Sequence, residues 1–249
     1  MQLLDQTFST PAENLAGDEA LLDFCEENGG EGFLRFWESP EIFVVVGYGN
    51  KIADEVNVAH CAAKKIPVLR RCSGGGTVLQ GPGCLNYALI LPIQENSPLA
   101  TISGTNRFIM EKNRAAIELE IRNQKLKIEI SICGHTDLAI NSQLSTLDKF
   151  SGNSQRRRKN FLLFHGTFLL NFNFALVEEF LLTPSREPDY RKNRSHENFL
   201  TNLKLAPEIL KKVLAENWHA NISPKNNYSI FLTKLVSEKY SQEKWNNKF

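Results

Sequence analysis

The sequence predicts an α+β domain: a mixed sheet with flanking helices. Three observations carry this reading. Helical and strand patterns alternate along the chain, yet several strand candidates follow one another directly, which fits a mixed sheet better than a strict βαβ winding. Thr10-Pro11-Ala12-Glu13 spells a helix start, with a capping Thr, Pro at the first helical position and Glu three residues after the cap. Cys84 to Pro92 is an apolar run of strand length and composition.

Taken in order, the first helix draws its apolar face from Leu15, Ala16, Ala20, Leu21, Leu22, Phe24 and Cys25 and ends near Gly29-Gly30. Strands over Phe33–Glu38 and Ile42–Tyr48 are separated by Ser39-Pro40, a turn signal. Glu55 to Lys65 reads as a short helix before the apolar run Ile66-Pro67-Val68-Leu69. Ser103 to Leu119 has helical spacing through Ile109, Ala116 and Leu119. Lys127 to Ile132 alternates charge with isoleucine, as a half-buried strand does. Phe161 to Phe172 is another apolar strand, expected to break at His165-Gly166, and the last third is helical and polar.

Composition narrows the function classes. The chain of 249 residues carries a formal net charge of +1, which argues against a general nucleic-acid binder. No apolar run approaches membrane-spanning length, and Met-Gln-Leu-Leu-Asp-Gln-Thr lacks the regions of a secretory signal. Five cysteines without a Cys-x-x-Cys form neither a disulfide framework nor a structural zinc site. A cytoplasmic protein with reduced thiols is expected.

The most informative stretch is Arg70-Arg71-Cys72-Ser73-Gly74-Gly75-Gly76-Thr77-Val78. Consecutive glycines accept positive φ and let a ligand approach the backbone, and two guanidinium forks beside them match carboxylate or phosphate oxygens. A tight turn with arginines in water is the bland alternative. No Walker lysine follows Gly76, and Leu79 stands where a dinucleotide fingerprint needs its third glycine. The loop therefore joins two strands.

A second constellation combines Lys149-Phe150-Ser151-Gly152-Asn153-Ser154, the basic run Arg156-Arg157-Arg158-Lys159, and Phe164-His165-Gly166-Thr167. A lysine before Ser-Gly sits where the chain can turn sharply, and its ammonium suits a reacting carboxylate or phosphate oxygen. Taken singly, each has an ordinary reading: a surface lysine, a solvated basic loop, a satisfied strand histidine.

Together these motifs resemble the lipoate–protein ligase A family within the biotin/lipoate ligase catalytic-domain superfamily. The resemblance rests on Arg70-Arg71-x-Ser73-Gly74-Gly75-Gly76-x-Val78, Leu85-Asn86-Tyr87, Gly134-x-x-Asp137-Leu138, Lys149-x-Ser151-Gly152-x-Ser154 and His165-Gly166-Thr167, in that order, and extends to Asp189-Tyr190-Arg191, Leu200 to Leu203 and Trp245-Asn246. It implies a mixed, largely antiparallel sheet with packed helices, class II synthetase-like. It also implies a ligase that joins lipoate or octanoate to ATP, entering with Mg2+, and passes the acyl group from the adenylate to a lysine of an apo lipoyl domain or a glycine-cleavage H-type protein. By position, Arg70, Arg71, Ser73, Gly74, Gly75, Gly76, Asn86, Asp137, Ser151, Gly152, His165 and Gly166 would bind substrate or adenylate, with Lys149 as the catalytic electrostatic stabiliser. Val44, Val46, Val78 and Leu89 are candidates for the slot that takes the apolar tail.

The chain departs from the pattern at Gln80, where many members carry histidine, and in a longer segment from Asn141 to Asp148. It reads as a single catalytic domain over 1–249, with no C-terminal accessory domain, so a separate accessory-domain protein is a candidate partner, the alternative being that the Arg156 to Lys159 run covers the pyrophosphate and makes the chain self-sufficient. The rival reading is an octanoyl or lipoyl transferase working through a cysteine thioester, for which Cys133 is the candidate and His135 and Lys149 the groups that would activate it. A non-catalytic subunit on the same scaffold would be marked by loss of Lys149, which is present. If an accessory protein is needed, the purified chain transfers lipoate from preformed lipoyl-AMP faster than it activates free lipoate with ATP, because domain closure contributes orientation and water exclusion to activation. Full ATP-dependent activity of the chain alone contradicts that expectation.

Overall fold

Two sheets, one large and one small, organise the chain. In the computed structural model, which describes residues 1–141, 146–184, 186–222 and 227–249, the strands are β1 (Gln2–Asp5), β2 (Phe33–Trp37), β3 (Phe43–Val46), β4 (Val68–Arg70), β5 (Val78–Gln80), β6 (Cys84–Pro92), β7 (Ile130–Cys133), β8 (Asp137–Asn141), β9 (Leu147–Arg157), β10 (Phe161–Leu169) and β11 (Asn221–Ile222). Among the described residues the large sheet runs β11-β1-β2-β6-β10-β9-β8-β7 and the small one β4-β3-β5. Of these strand pairs β11–β1, β1–β2 and β3–β4 are parallel and the others antiparallel.

The period-2 alternation of the strands decides which helices cover which face. Leu34 and Phe36 of β2, Leu85, Tyr87 and Leu89 of β6, and Phe164 and Phe168 of β10 point to one side. There they meet Ile109, Met110, Ile117 and Ile121 of α4 (Ile102–Asn123) and Leu210 and Leu214 of α7 (Pro207–Asn217). Residues between them in sequence, Phe33, Ala88, Ile90 and Leu163, face α1 (Pro11–Asn28) through Leu21, Leu22 and Cys25. Helix α1 begins as its sequence predicts: Thr10 accepts from Glu13 N and the Glu13 carboxylate returns to Thr10 N at 2.9 Å, a complete capping box. Its outer side is covered by α8 (Ser229–Leu235) and the Val236–Tyr240 turn, so most of its positions are buried.

The remaining helices are α2 (Ile52–Glu55), α3 (Val58–Lys64), α5 (Ala175–Phe180), α6 (His196–Phe199) and α9 (Glu243–Asn246). The single helix expected over Glu55–Lys65 is thus two: Val56 bridges Leu181, and Asn57 restarts the helix by capping His60 N at 3.2 Å. The first two of these helices and α5 pack on the small sheet around Val44, Val46, Val56, Leu79, Val177 and Phe180. Residues 142–145, within the long Asn141–Asp148 segment, lie outside the described residues.

Strand β10 does not break at His165-Gly166; it pairs without interruption with β6 on one side and β9 on the other. The reason is Asn153. Gly166 is opposite Asn153 and Tyr87, and the Asn153 side chain lies in the space that a Cβ at 166 would take. Asn153 accepts from the Tyr87 hydroxyl at 2.7 Å and donates to Thr136 O at 2.6 Å. Gly166→Ala is expected to lower unfolding free energy by about 1–3 kcal/mol, an overpacking cost. Urea denaturation checks this, and an unchanged midpoint would show that Asn153 moves aside freely.

Candidate functional site

The glycine loop is fixed by its two arginines, which point apart because they are neighbours at a strand end. Arg70 is fully buried and gives Nη1 to the carbonyls of Gly47 (2.8 Å), Tyr48 (3.1 Å) and Asn50 (2.8 Å), and Nε to Asn246 O (3.2 Å). The Phe249 ring lies over its guanidinium, with the centroid 5.4 Å from Cζ. It braces the β3 turn and the chain's last helix. Expected as a substrate-binding residue, Arg70 here commits Nε and Nη1 to main-chain carbonyls, while its Nη2 is buried without a partner among the described residues. Arg71 turns the other way, under the loop, giving Nη2 to the carbonyls of Gly74 and Gly76 (2.8 Å for the latter) and Nε to Ser73 Oγ at 3.1 Å. Burial pulls its pKa down to about 10, which leaves it cationic at neutral pH.

Above these anchors, Gly74, Gly75 and Gly76 are exposed. Gly75 adopts φ +85°, a conformation that L side chains resist, and a Cβ there would also press on Arg71 Nη2 at 3.0 Å. Around Gly74 and Gly76 a Cβ would meet nothing within 4 Å, so the backbone faces open space. The loop's far end is tied to Glu55 Oε2, which accepts from Thr77 N at 3.1 Å and from Asn50 Nδ2 at 2.8 Å. Its near end lies on the large sheet: Ser154 Oγ donates to Gly74 O at 2.9 Å, and Ser73 Oγ is 2.6 Å from His165 Nε2. The His165 Nδ1 atom is 3.0 Å from Asp18 Oδ2 of α1.

Lys149 lies on the same side of β9 as Ser154, although the strand does not turn at Ser151-Gly152 as expected. What re-aims the lysine is a β-bulge. Ser151 pairs with Leu138 and Lys149 with Ala139, so Phe150 is the extra residue and drops into the core. The lysine side chain then lies along Gly152, where a Cβ would come within 2.8 Å of both Cε and Nζ. Its ammonium is 2.8 Å from Asp137 Oδ1, and Asp137 Oδ2 accepts from the Tyr190 hydroxyl at 2.8 Å. Burial, and then the Asp137 charge, push the Tyr190 pKa far up, so the phenol remains a donor. Arg194 clamps the strand's start through Asp148 Oδ1 and Leu147 O, both at 2.7 Å. Thr201 N donates to Lys149 O at 2.9 Å, and Leu200 bridges Lys149, so the segment after Tyr190 holds the lysine's strand along its backbone as well.

The other expected site residues divide between the two faces of the sheet. Asn86 and Thr167 are cross-strand partners beside Gly152, on the face of the glycine loop. Asn86 is nonetheless satisfied internally: it donates to Gln80 Oε1 at 3.0 Å and accepts from Thr167 Oγ1 at 2.6 Å, and Gln80 Nε2 reaches Thr167 Oγ1 at 2.7 Å. Ser151 and Gly166 open to the opposite face. Ser151 pairs with Phe168 of the main core, and Gly166 is filled by Asn153, so neither lines the site as expected. The proposed apolar slot is corrected in the same way. Val44 and Val46 fill the core under the small sheet and Leu89 the main core, while Val78 alone of the four is exposed. The basic run is not a solvated loop either: Arg157 donates to Leu99 O at 2.7 Å and Arg158 pairs with Asp23 at 2.7 Å. Arg156, on β9, faces the Tyr48 ring beside the loop.

Sequence reasoning missed Asp18, Ser154 and Tyr190 as site neighbours. The signal for Asp18 was available: acidic residues at 18 and 19 interrupt the apolar stripe of α1, and a charge on a helix's buried side needs a partner. All five cysteines are free and buried. Burial, and then the neighbouring Asp137 charge, raise the Cys133 pKa. No helix among the described residues is long and apolar enough to cross a membrane.

Comparison with known proteins places this geometry. Residues 10–213 match the family described as the lipoyl protein ligase A/B catalytic domain. The inactive lipoate–protein ligase 2 of Plasmodium falciparum is 25% identical over 92% of the chain and 61% of its own length. The octanoyltransferase LipM of Clostridioides difficile is 26% identical over 95% of the chain and 94% of its own length. The fold is that of solved lipoate ligases. A bipartite lipoate protein ligase from Thermoplasma acidophilum superposes with a TM-score of 0.80 at 20% identity, covering 99% of this chain and 95% of that one. A lipoate-protein ligase A bound with ATP gives 0.78 at 21%, covering 99% and 98%. The class II synthetase-like α+β fold and the matched span together make this chain a member of the lipoyl protein ligase A/B catalytic-domain family.

Proposed function

We propose that the chain is an ATP-dependent lipoate–protein ligase: it activates lipoate or octanoate as the acyl-adenylate and transfers the acyl group to a lysine of a lipoyl domain or an H-type protein. One observation carries the reading. The Lys149 ammonium, held over Gly152 by Asp137, lies along the same face of β9 as Ser154, to which the open glycine loop is bonded. A fixed cation and an exposed backbone loop thus lie on one face of the sheet, an arrangement suited to an anion whose charge changes during reaction.

In the first step the acid's carboxylate oxygen attacks the α-phosphorus of ATP, which enters as its Mg2+ complex, and pyrophosphate leaves. In the second the acceptor lysine's amine attacks the acyl carbonyl, AMP leaves, and the amine's proton is lost. Lys149 stabilises charge on the carboxylate and phosphate oxygens, and it is not the attacking amine. Gly74 and Gly76 give the adenylate an unobstructed approach to the backbone, while Arg71 holds the loop's shape and adds positive charge beneath it. The solved relative bound with ATP supports the nucleotide, and the Thermoplasma ligase described with its E2 lipoyl domain supports the acceptor class.

Transfer through a cysteine thioester is the second reading, favoured by the likeness to octanoyltransferase LipM. A thioester enzyme needs an activated thiolate, and the raised pKa of buried Cys133 points the other way.

The deciding experiment is incubation with ATP, lipoate and an apo lipoyl domain, following pyrophosphate release and acceptor mass together. Lys149→Ala is expected to lose about a hundred- to a thousandfold in rate with the fold intact, as for removal of one preorganised charge. Near wild-type turnover would remove Lys149 from the mechanism. Cys133→Ser is expected to retain activity; its inactivation in a folded protein would favour the thioester route.

The glycines give a separate expectation. Gly74→Val and Gly76→Val introduce bulk into open space, so calorimetry should show weakened binding of a non-hydrolysable acyl-adenylate analogue with little change in thermal midpoint. Gly75→Val is expected to lose stability as well, through its φ of +85° and its contact with Arg71. Unchanged affinity in the first two variants would reduce the loop to a plain turn.

A further inference from the structure

Asp18, His165, Ser73 and Arg71 form a hydrogen-bonded chain from the buried side of α1 to the glycine loop, and the chemistry of its members gives it a direction. Asp18 is 2% exposed. Its Oδ1 accepts from Arg35 Nη1 at 2.6 Å, and its Oδ2 is 3.0 Å from His165 Nδ1. Burial works against the Asp18 charge, but His165 and Arg35 outweigh it and hold the carboxyl below its usual range. As a carboxylate Asp18 only accepts, so His165 Nδ1 carries a proton. In the neutral imidazole Nε2 is then an acceptor, and the Ser73 hydroxyl, 2.6 Å away, donates to it. The Ser73 oxygen keeps a lone pair for Arg71 Nε at 3.1 Å. That Nε is shared with Gly74 O at 3.2 Å, and Arg71 Nη2 holds the carbonyls of Gly74 and Gly76.

We propose that Asp18 is a positioning residue for the glycine loop. By fixing the His165 tautomer it gives the Ser73 proton its acceptor, which sets the hydroxyl's orientation and so aims an oxygen lone pair at Arg71 and, through it, steadies the loop. With the opposite tautomer the Ser73 oxygen would accept from both Nε2–H and Arg71 Nε–H, filling its two lone pairs, and the serine proton would be left in a buried place without its acceptor. The order Asp–His–Ser matches that of a serine-nucleophile triad, but Ser73 is 1% exposed and its oxygen is engaged by a guanidinium, which lowers nucleophilicity. The chain therefore orients the loop. Its consequence for ligand binding rests on the reading that the loop holds the adenylate.

The test begins with the wild-type protein and needs no activity. Side-chain 15N correlation spectra should show His165 protonated at Nδ1 and bare at Nε2; a proton on Nε2 at neutral pH overturns the proposal. The variant is Asp18→Asn, made on an Arg35→Met background so that no buried guanidinium loses its partner, with Arg35→Met alone as control. The control should keep the wild-type tautomer, and the double variant should move the proton to Nε2, because an asparagine amide can donate to Nδ1. Relative to the control, the double variant should bind the acyl-adenylate analogue about ten- to a hundredfold more weakly, the usual range for loss of an orienting partner. On a Ser73→Ala background the same substitution should change affinity less than about twofold, since Asp18 acts through Ser73. An equal loss with and without Ser73 would mean that Asp18 acts through packing alone and overturns the proposal. If the wild type fails to bind the analogue, the ligase reading fails, and the positioning role is read instead from the backbone amide shifts of Gly74 to Gly76, which should move between control and double variant; unmoved shifts overturn it.

Discussion

The site depends on two buried guanidinium groups. Desolvating a cation is costly unless acceptors surround it, and here the acceptors are mostly main-chain carbonyls. Arg70 gathers those of Gly47, Tyr48 and Asn50, and Arg71 those of Gly74 and Gly76. Supplying carbonyls to both groups on adjacent residues, with Arg70 Nη2 alone left unpartnered among the described residues, shapes the loop between β4 and β5 and the turn after β3. Glycine at 75 follows from that path, since its φ is positive and it passes directly over Arg71. A further consequence lies in the chain's last helix, where Trp245 Nε1 donates to Arg70 O at 2.8 Å and Asn246 Oδ1 accepts from Arg70 N at 3.0 Å.

The lysine side of the site depends on β9 in a comparable way. Without the bulge at Phe150, Lys149 would alternate with Gly152 and point to the opposite face. The extra residue brings both to one side, and Gly152 leaves room for the lysine to lie flat along the strand. Asp137 and Tyr190 then fix the ammonium. The clamp from Arg194 and Thr201 holds the strand that carries it.

Much of this was legible in the sequence, and what was not has physical causes. The helix start at Thr10, the Cys84–Pro92 strand and the strand–loop–strand setting of Arg70 to Val78 depend on local rules, and all are found. The order of the motifs identified the family. What failed was orientation. Adjacent arginines look equivalent in sequence, yet strand alternation sends Arg70 inward and Arg71 under the loop. Gly166 reads as a breaker, but it is the space that Asn153 needs across the sheet. The Ser151-Gly152 pair reads as a turn, while the irregularity is a bulge one residue earlier. Asp18 was missed because its partners, Arg35 and His165, are distant in sequence and meet it only when α1 packs on the sheet.

In the proposed mechanism Lys149 and the glycine loop hold a non-covalent acyl-adenylate, and no acyl group passes through a cysteine. Denaturing mass spectrometry of the chain, quenched during turnover with ATP, lipoate and a lipoyl domain, tests this most directly. The expected result is pyrophosphate release and a lipoylated acceptor while the chain keeps its unmodified mass. A lipoyl adduct on the chain, mapped to Cys133 and passed on to the acceptor, would contradict it.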